Sequence, residues 1–171
     1  MSERVEEQEF QPAKKPTFLV VLAILSFVSM SWSFFQYIVS LLSGPMNQDA
    51  WELYEATMYE SVGQMNDVGM DGVAAMFEQV IQMSYIANFD CFVINNVLQL
   101  ITVIIGALGV ILMLQLRKIG FHFYVIYSLL PIILSYILFP VEVIPTVVVI
   151  TQLVLSAIFC TLYALNFKHL K

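Results

Sequence analysis

The sequence predicts an all-α integral membrane protein, a four-helix bundle with an extracytoplasmic helical hairpin between its first and second spans. Three observations carry this expectation. Of the 171 residues, 60% are apolar and 12% charged, against roughly 45–50% and about 25% in soluble domains. The apolar residues gather into four uncharged runs, each long enough for the about 20 residues that a helix needs to cross the hydrocarbon core. All seven Lys and Arg fall on one side of those runs, which sets an orientation by the positive-inside rule. The same composition excludes a disordered chain.

Residues 1–16 read as a flexible cytoplasmic tail, acidic at Glu3, Glu6, Glu7 and Glu9, with Lys14 and Lys15 anchoring it at the inner surface. Residues 17–42 form the first span. Its acidic flank is wrong for a cleaved signal, and its apolar run exceeds the usual core of about 7–15 residues, so it is read as a retained helix. The remaining spans are 92–116, 120–139 and 143–167, followed by a short cytoplasmic tail at 168–171. Helix is required because an open strand cannot satisfy its backbone in lipid. A barrel would alternate with period two, and the run from Val147 to Ile150 does not alternate.

The orientation rests on seven residues. Arg4, Lys14 and Lys15 precede the first span, Arg117 and Lys118 join the second to the third, and Lys168 and Lys171 follow the fourth. Segments 43–91 and 140–142 contain no basic residue. Both termini are therefore expected in the cytoplasm. The formal net charge of −6 then hides a polarised molecule, because nine of the thirteen carboxylates lie outside, unopposed by any cation.

Residues 43–91 form the external acidic loop, and they carry helical periodicity. Trp51, Tyr54, Met58 and Val62 fall at spacings of three and four, building one apolar stripe. Asp49 with Glu52 resembles a capping box, so a helix is expected to start near Asp49. The stretch from Gly63 to Gly72 reads as a turn. A second stripe, Val73, Met76, Phe77, Val80, Met83, Ser84 and Ala87, predicts a helix running toward the second span. The two helices would lay their apolar stripes on the bundle or on the headgroups. Asp67, Asp71, Gly72 and Glu78 match part of the EF-hand spacing. Gly69 and Ala75 stand where two further ligands belong, so the reading is a turn with Asp71 as helix cap and no metal site. Weak cation attraction by the whole loop is the more physical expectation.

Within the spans, no Asp, Glu, Lys, Arg or His lies at the centre of any run. Proton relays and ion-coupled carriers place ionisable groups at that depth, so such transport is disfavoured. Uncharged polar residues do occur: Gln36, Asn95, Asn96, Gln99 and Gln152, all in the outer half of the bundle by the deduced orientation. Together they define a possible polar pocket. The competing reading is interhelical hydrogen bonding, worth about 0.6 kcal/mol per contact on average. Small residues (Ser156, Cys160 and Ala164; Ser29 and Ser33; Gly106 and Gly109) mark faces where helix backbones approach closely. Pro131 is expected to kink the third span.

The sequence holds no nucleophile motif, no His-rich metal cluster and no phosphate loop, so neither enzymatic activity nor a cofactor is expected, and nothing favours nucleic acid. Cys91 and Cys160 fall in opposite leaflets, too far apart for a disulfide.

Three junctions together resemble those of a group of small bacterial four-span membrane proteins with no assigned activity. They are Lys14 to Leu19 opening the first span, Lys118 to Tyr124 opening the third and Leu162 to Lys168 closing the fourth. The resemblance covers the spans and not the loop, and it implies a bacterial inner-membrane location. The expected role is that of a noncatalytic accessory or interaction subunit using the acidic loop, its partners being the bilayer and a membrane protein or a second copy. The alternative is a small-molecule or lipid-binding channel or carrier built on the polar cluster.

Overall fold

The computed structural model describes residues 16–167 and residue 170, and within them the fold is all helical, with no strand. The expected amino-terminal tail, with Lys14 and Lys15, lies outside the described residues, as do Lys168 and Lys171. Four helices are long and apolar enough to cross a membrane: α1 (Thr17–Ser43), α4 (Phe92–Leu114), α5 (Ile119–Leu138) and α6 (Thr146–Ala164). Between α1 and α4 stand α2 (Gln48–Asp67) and α3 (Asp71–Phe89).

The four long helices pack in the order α1, α4, α5, α6, with only a sparse contact closing the ring between α6 and α1. The α4–α5 interface is the most intimate, and glycine is the reason. A Cβ added at Gly109 would stand 2.9 Å from the Tyr124 amide nitrogen, and one at Gly106 would stand 2.6 Å from the Tyr127 ring. Small residues allow such approach, and van der Waals contact replaces the hydrophobic drive that lipid does not supply. The main core lies toward the end opposite the hairpin, where Leu19, Leu22, Val110, Met113, Tyr124 and Tyr163 are buried. There Lys118 lies 5.7 Å from the Phe167 ring centroid. The outward faces keep large apolar side chains exposed, among them Val28, Trp32, Ile104, Ile137 and Val154, as a lipid-facing surface requires.

The spans begin and end within three residues of the sequence reading, and three connections differ from it for a local reason. The α2 cap is Asn47, whose side chain accepts from the Ala50 amide at 2.8 Å; Asp49 sits in the first turn, where its charge still favours the helix dipole. The expected turn over Gly63–Gly72 shrinks to Val68, Gly69 and Met70, with α2 running through Gly63. Gly69 adopts φ 75°, the left-handed conformation that glycine tolerates best. Asp71 opens α3 without capping it; the cap position is Met70. The EF-hand spacing therefore crosses a tight turn and two turns of helix, and its positions cannot wrap around one ion as a loop does. At the α5–α6 connection, residues Val141–Val143 form a single 3-10 turn and α6 begins only at Thr146, because Pro145 has no amide to donate to a preceding turn.

The hairpin has its own small core. Trp51, Val62, Ala74 and Ile81 are buried together, flanked by Tyr54, Met58, Met65 and Phe77. Trp51 lies tilted at 49° to Tyr54, with centroids 5.2 Å apart, and edge-on at 5.5 Å from Tyr85 and 5.8 Å from Phe89. The stripe seen in the sequence thus faces the partner helix of the hairpin.

Candidate functional site

Hydrogen bonds fix the hairpin at two places, one at its own base and one on the bundle. Asn88, buried on α3, accepts from the Met46 amide at 2.7 Å and donates to the Met46 carbonyl at 3.0 Å. Its one amide group satisfies both backbone polar atoms of a residue in the α1–α2 linker. On the other side, Gln79 Nε2 donates to the Glu142 carbonyl at 3.0 Å. Phe139, Val143 and Ile144 add an apolar contact against Met83, Ile86 and Ala87. The hairpin is therefore held at both the α1 end and the α5–α6 turn.

This seating presents the carboxylates outward. Asp49, Glu52, Glu60, Asp67, Asp71, Glu78, Asp90 and Glu142 are exposed and Glu55 is half-buried. The two described basic residues, Arg117 and Lys118, lie at the far end of α4 and α5. At Cys91, burial and then the neighbouring Asp90 carboxylate push the thiol above its ordinary value. Exposed apolar side chains, Leu53 and Val68 the most prominent, punctuate the acidic surface.

The five polar residues singled out in the sequence do not form one hydrogen-bonded group among the described residues. Asn96 is buried and donates to the Phe92 carbonyl one turn back at 2.8 Å. Gln36 is exposed on α1, while Asn95 and Gln99 are half-buried on α4. Gln152 lines a cavity, and that cavity lies between α1, α5 and α6 rather than against α4.

The cavity measures about 170 Å³. From α1 it is lined by Leu25, Ser26, Ser29 and Met30. From α5 come Tyr124, Tyr127, Ser128 and Pro131, and from α6 Gln152, Leu155, Ser156 and Phe159. None of the twelve is ionisable at neutral pH, and seven carry a polar side chain. Several of these are satisfied within the protein. The Ser26 and Tyr163 hydroxyls bond at 2.9 Å, Ser156 donates to the Ser128 carbonyl at 2.9 Å, and Ser128 donates to the Val125 carbonyl at 2.9 Å. Ser29, Tyr127 and Gln152 make no side-chain hydrogen bond among the described residues. Pro131 offers no amide to the Tyr127 carbonyl.

Sequence reasoning noticed Ser29, Ser156 and Pro131 as packing features and missed Ser26, Tyr124, Tyr127 and Ser128 as neighbours. The signal was a recurrence of hydroxyl side chains near the middle of three spans; which faces meet is a property of helix rotation that one sequence does not encode visibly. Comparison with known protein families, characterised proteins and solved structures finds no match to the chain.

Proposed function

We propose that the protein is a noncatalytic accessory or interaction subunit of a bacterial inner-membrane assembly, with both termini cytoplasmic and the acidic hairpin outside. The observation that carries this reading is the hairpin's construction. It has a core of its own, a hydrogen bond that closes its base and another that latches it to the bundle, and it presents eight carboxylates of its own segment without a basic neighbour. A merely connecting loop needs none of this. Such a surface suits a partner bearing a basic patch, since complementary charge steers encounter and sets register. A second copy of the same hairpin is disfavoured by like charge, so self-association would use the lipid-facing helices instead.

Crosslinking tests the reading. Glu52→Cys, Glu60→Cys and Asp67→Cys should each capture the same membrane protein, and capture should fall as salt rises. Glu52→Lys combined with Glu60→Lys should abolish it. Equal capture from Leu25→Cys on the lipid face, or no adduct at any hairpin position, would refute it. A reporter active only outside the cytoplasm should work within residues 43–91 and fail at Lys171.

The second reading is a small-molecule or lipid-binding channel or carrier. Of the five polar residues that motivated it, Gln152 supports it most directly, through its place in the three-helix cavity.

A further inference from the structure

The three-helix cavity has the properties of a binding site for a neutral ring compound. Its volume of about 170 Å³ is close to the ~150 Å³ of an apolar cavity that accepts benzene. One six-membered ring with small substituents fits. No lining residue is ionisable at neutral pH, so a charged ligand would be stranded without a counter-charge at membrane depth. The walls combine aromatic and soft surface from Tyr124, Tyr127, Phe159 and Met30 with unpartnered polar groups at Ser29, Tyr127 and Gln152.

The entrance faces the bilayer. Leu25 on α1 is 55% exposed and Leu155 on α6 is 49% exposed, yet both line the cavity. The two helices that carry them touch only sparsely. A ligand can therefore enter sideways from lipid between α1 and α6, without crossing the hairpin end.

We infer that this cavity binds the oxygen-bearing ring of a membrane-borne benzoquinone or quinol. Its ring lies among Tyr124, Tyr127 and Phe159, and its oxygens meet the Ser29 hydroxyl and the Gln152 amide. Hydroxyls and amides both donate and accept, so the site serves either oxidation state and the inference concerns binding alone. It sharpens the small-molecule reading and is independent of the hairpin's partner.

The test uses the full chain in phosphatidylcholine vesicles with a decyl-tailed azido-benzoquinone. Photolysis should label peptides from α1, α5 and α6, and unmodified decyl-benzoquinone should compete. Ser29→Leu, which fills the lipid-side mouth, should reduce labelling at least tenfold. Gln152→Leu, which removes one polar partner, should weaken competition roughly five- to tenfold. Circular dichroism and gel filtration should show both variants folded. A tailless benzoquinone labelling as well as the decyl form would overturn the lipid-borne source. Labelling unchanged by both variants, or absent altogether, would overturn the site. If a different lipid co-purifies and is lost in Ser29→Leu, the ring assignment fails while small-molecule binding stands.

Discussion

Gly120 and Gly109 bring α5 and α4 into backbone contact: a Cβ on Gly120 would stand 2.6 Å from the Gly109 carbonyl oxygen and 2.5 Å from the Met113 amide nitrogen. Both obstacles are main chain, so no rotamer change relieves them. Gly120→Ala must push the two helices apart, and overpacking of this kind costs about 1–3 kcal/mol. At Gly106 the obstacles are the Tyr127 ring and the Met30 methyl, which are side chains. Gly106→Ala should therefore destabilise less than Gly120→Ala. Unfolding in mixed micelles, followed by circular dichroism, reads the order; equal midpoints for Gly120→Ala and the parent would contradict it.

Asn88 predicts a local loosening. Asn88→Ala leaves the Met46 amide and carbonyl without their partners, at a cost of about 1–3 kcal/mol for each group that stays buried. The four bundle helices do not depend on that bond. Limited proteolysis should cut the linker around Gly44–Asn47 faster in the variant, while helix content changes little. Unchanged protection would show that the Gln79 bond and the apolar contact at Phe139, Val143 and Ile144 hold the hairpin without Asn88.

Trp51 separates packing from hydrogen bonding. Its ring is buried, and its indole N–H has no acceptor among the described residues. Trp51→Phe gives up ring area but also removes an unsatisfied donor, so the change should stay within about 1 kcal/mol. Trp51→Ala empties the hairpin core, at about 3–5 kcal/mol. Near-ultraviolet circular dichroism and amide exchange in α2 and α3 check the contrast. Equal loss in both variants would mean that the N–H has an acceptor.

The Cys91 thiol supplies a pH signature. Burial raises its pKa and Asp90 raises it further, so the thiolate that alkylates is scarcer at neutral pH than in an ordinary cysteine. In a Cys160→Ser background, maleimide labelling should climb with pH beyond the usual thiol midpoint of about 8.5. Asp90→Asn should speed labelling at fixed pH, by less than the residual effect of burial. Because the folded pKa is the higher one, the associated stability is present at low pH and lost as pH rises through the folded value. A labelling profile identical to that of a free thiol would exclude both causes.

The long helices were legible because a run of twenty apolar residues has one common outcome in water and lipid. The hairpin was legible because Trp51, Tyr54, Met58 and Val62 keep helical spacing through otherwise acidic sequence. Its turn is narrower than the sequence suggests, because Gly63 looks like a breaker yet lies within α2. A mid-helix glycine costs roughly 0.5–1 kcal/mol relative to alanine, less than the burial of Val62 beside it supplies. The cap lies two residues before the one the sequence suggests, since Asn47 and Asp49 are both good caps and only the Ala50 bond distinguishes them. The polar site was the least legible part. Asn95 and Gln99 share a helical face, but α4 packs on α1 and α5, so Gln152 on α6 meets serines and tyrosines instead.

The Gln79–Glu142 latch joins residues 63 apart in sequence, and that distance imposes a timetable. The hairpin emerges with α2 and α3, after α1 and before α4, yet its second anchor exists only once the α5–α6 turn has been made. Until then the hairpin is tethered on one side alone. Its fully seated pose thus certifies that the last helix pair is in place. A partner that recognised that pose would discriminate finished chains from unfinished ones through one hydrogen bond and the apolar contact beside it.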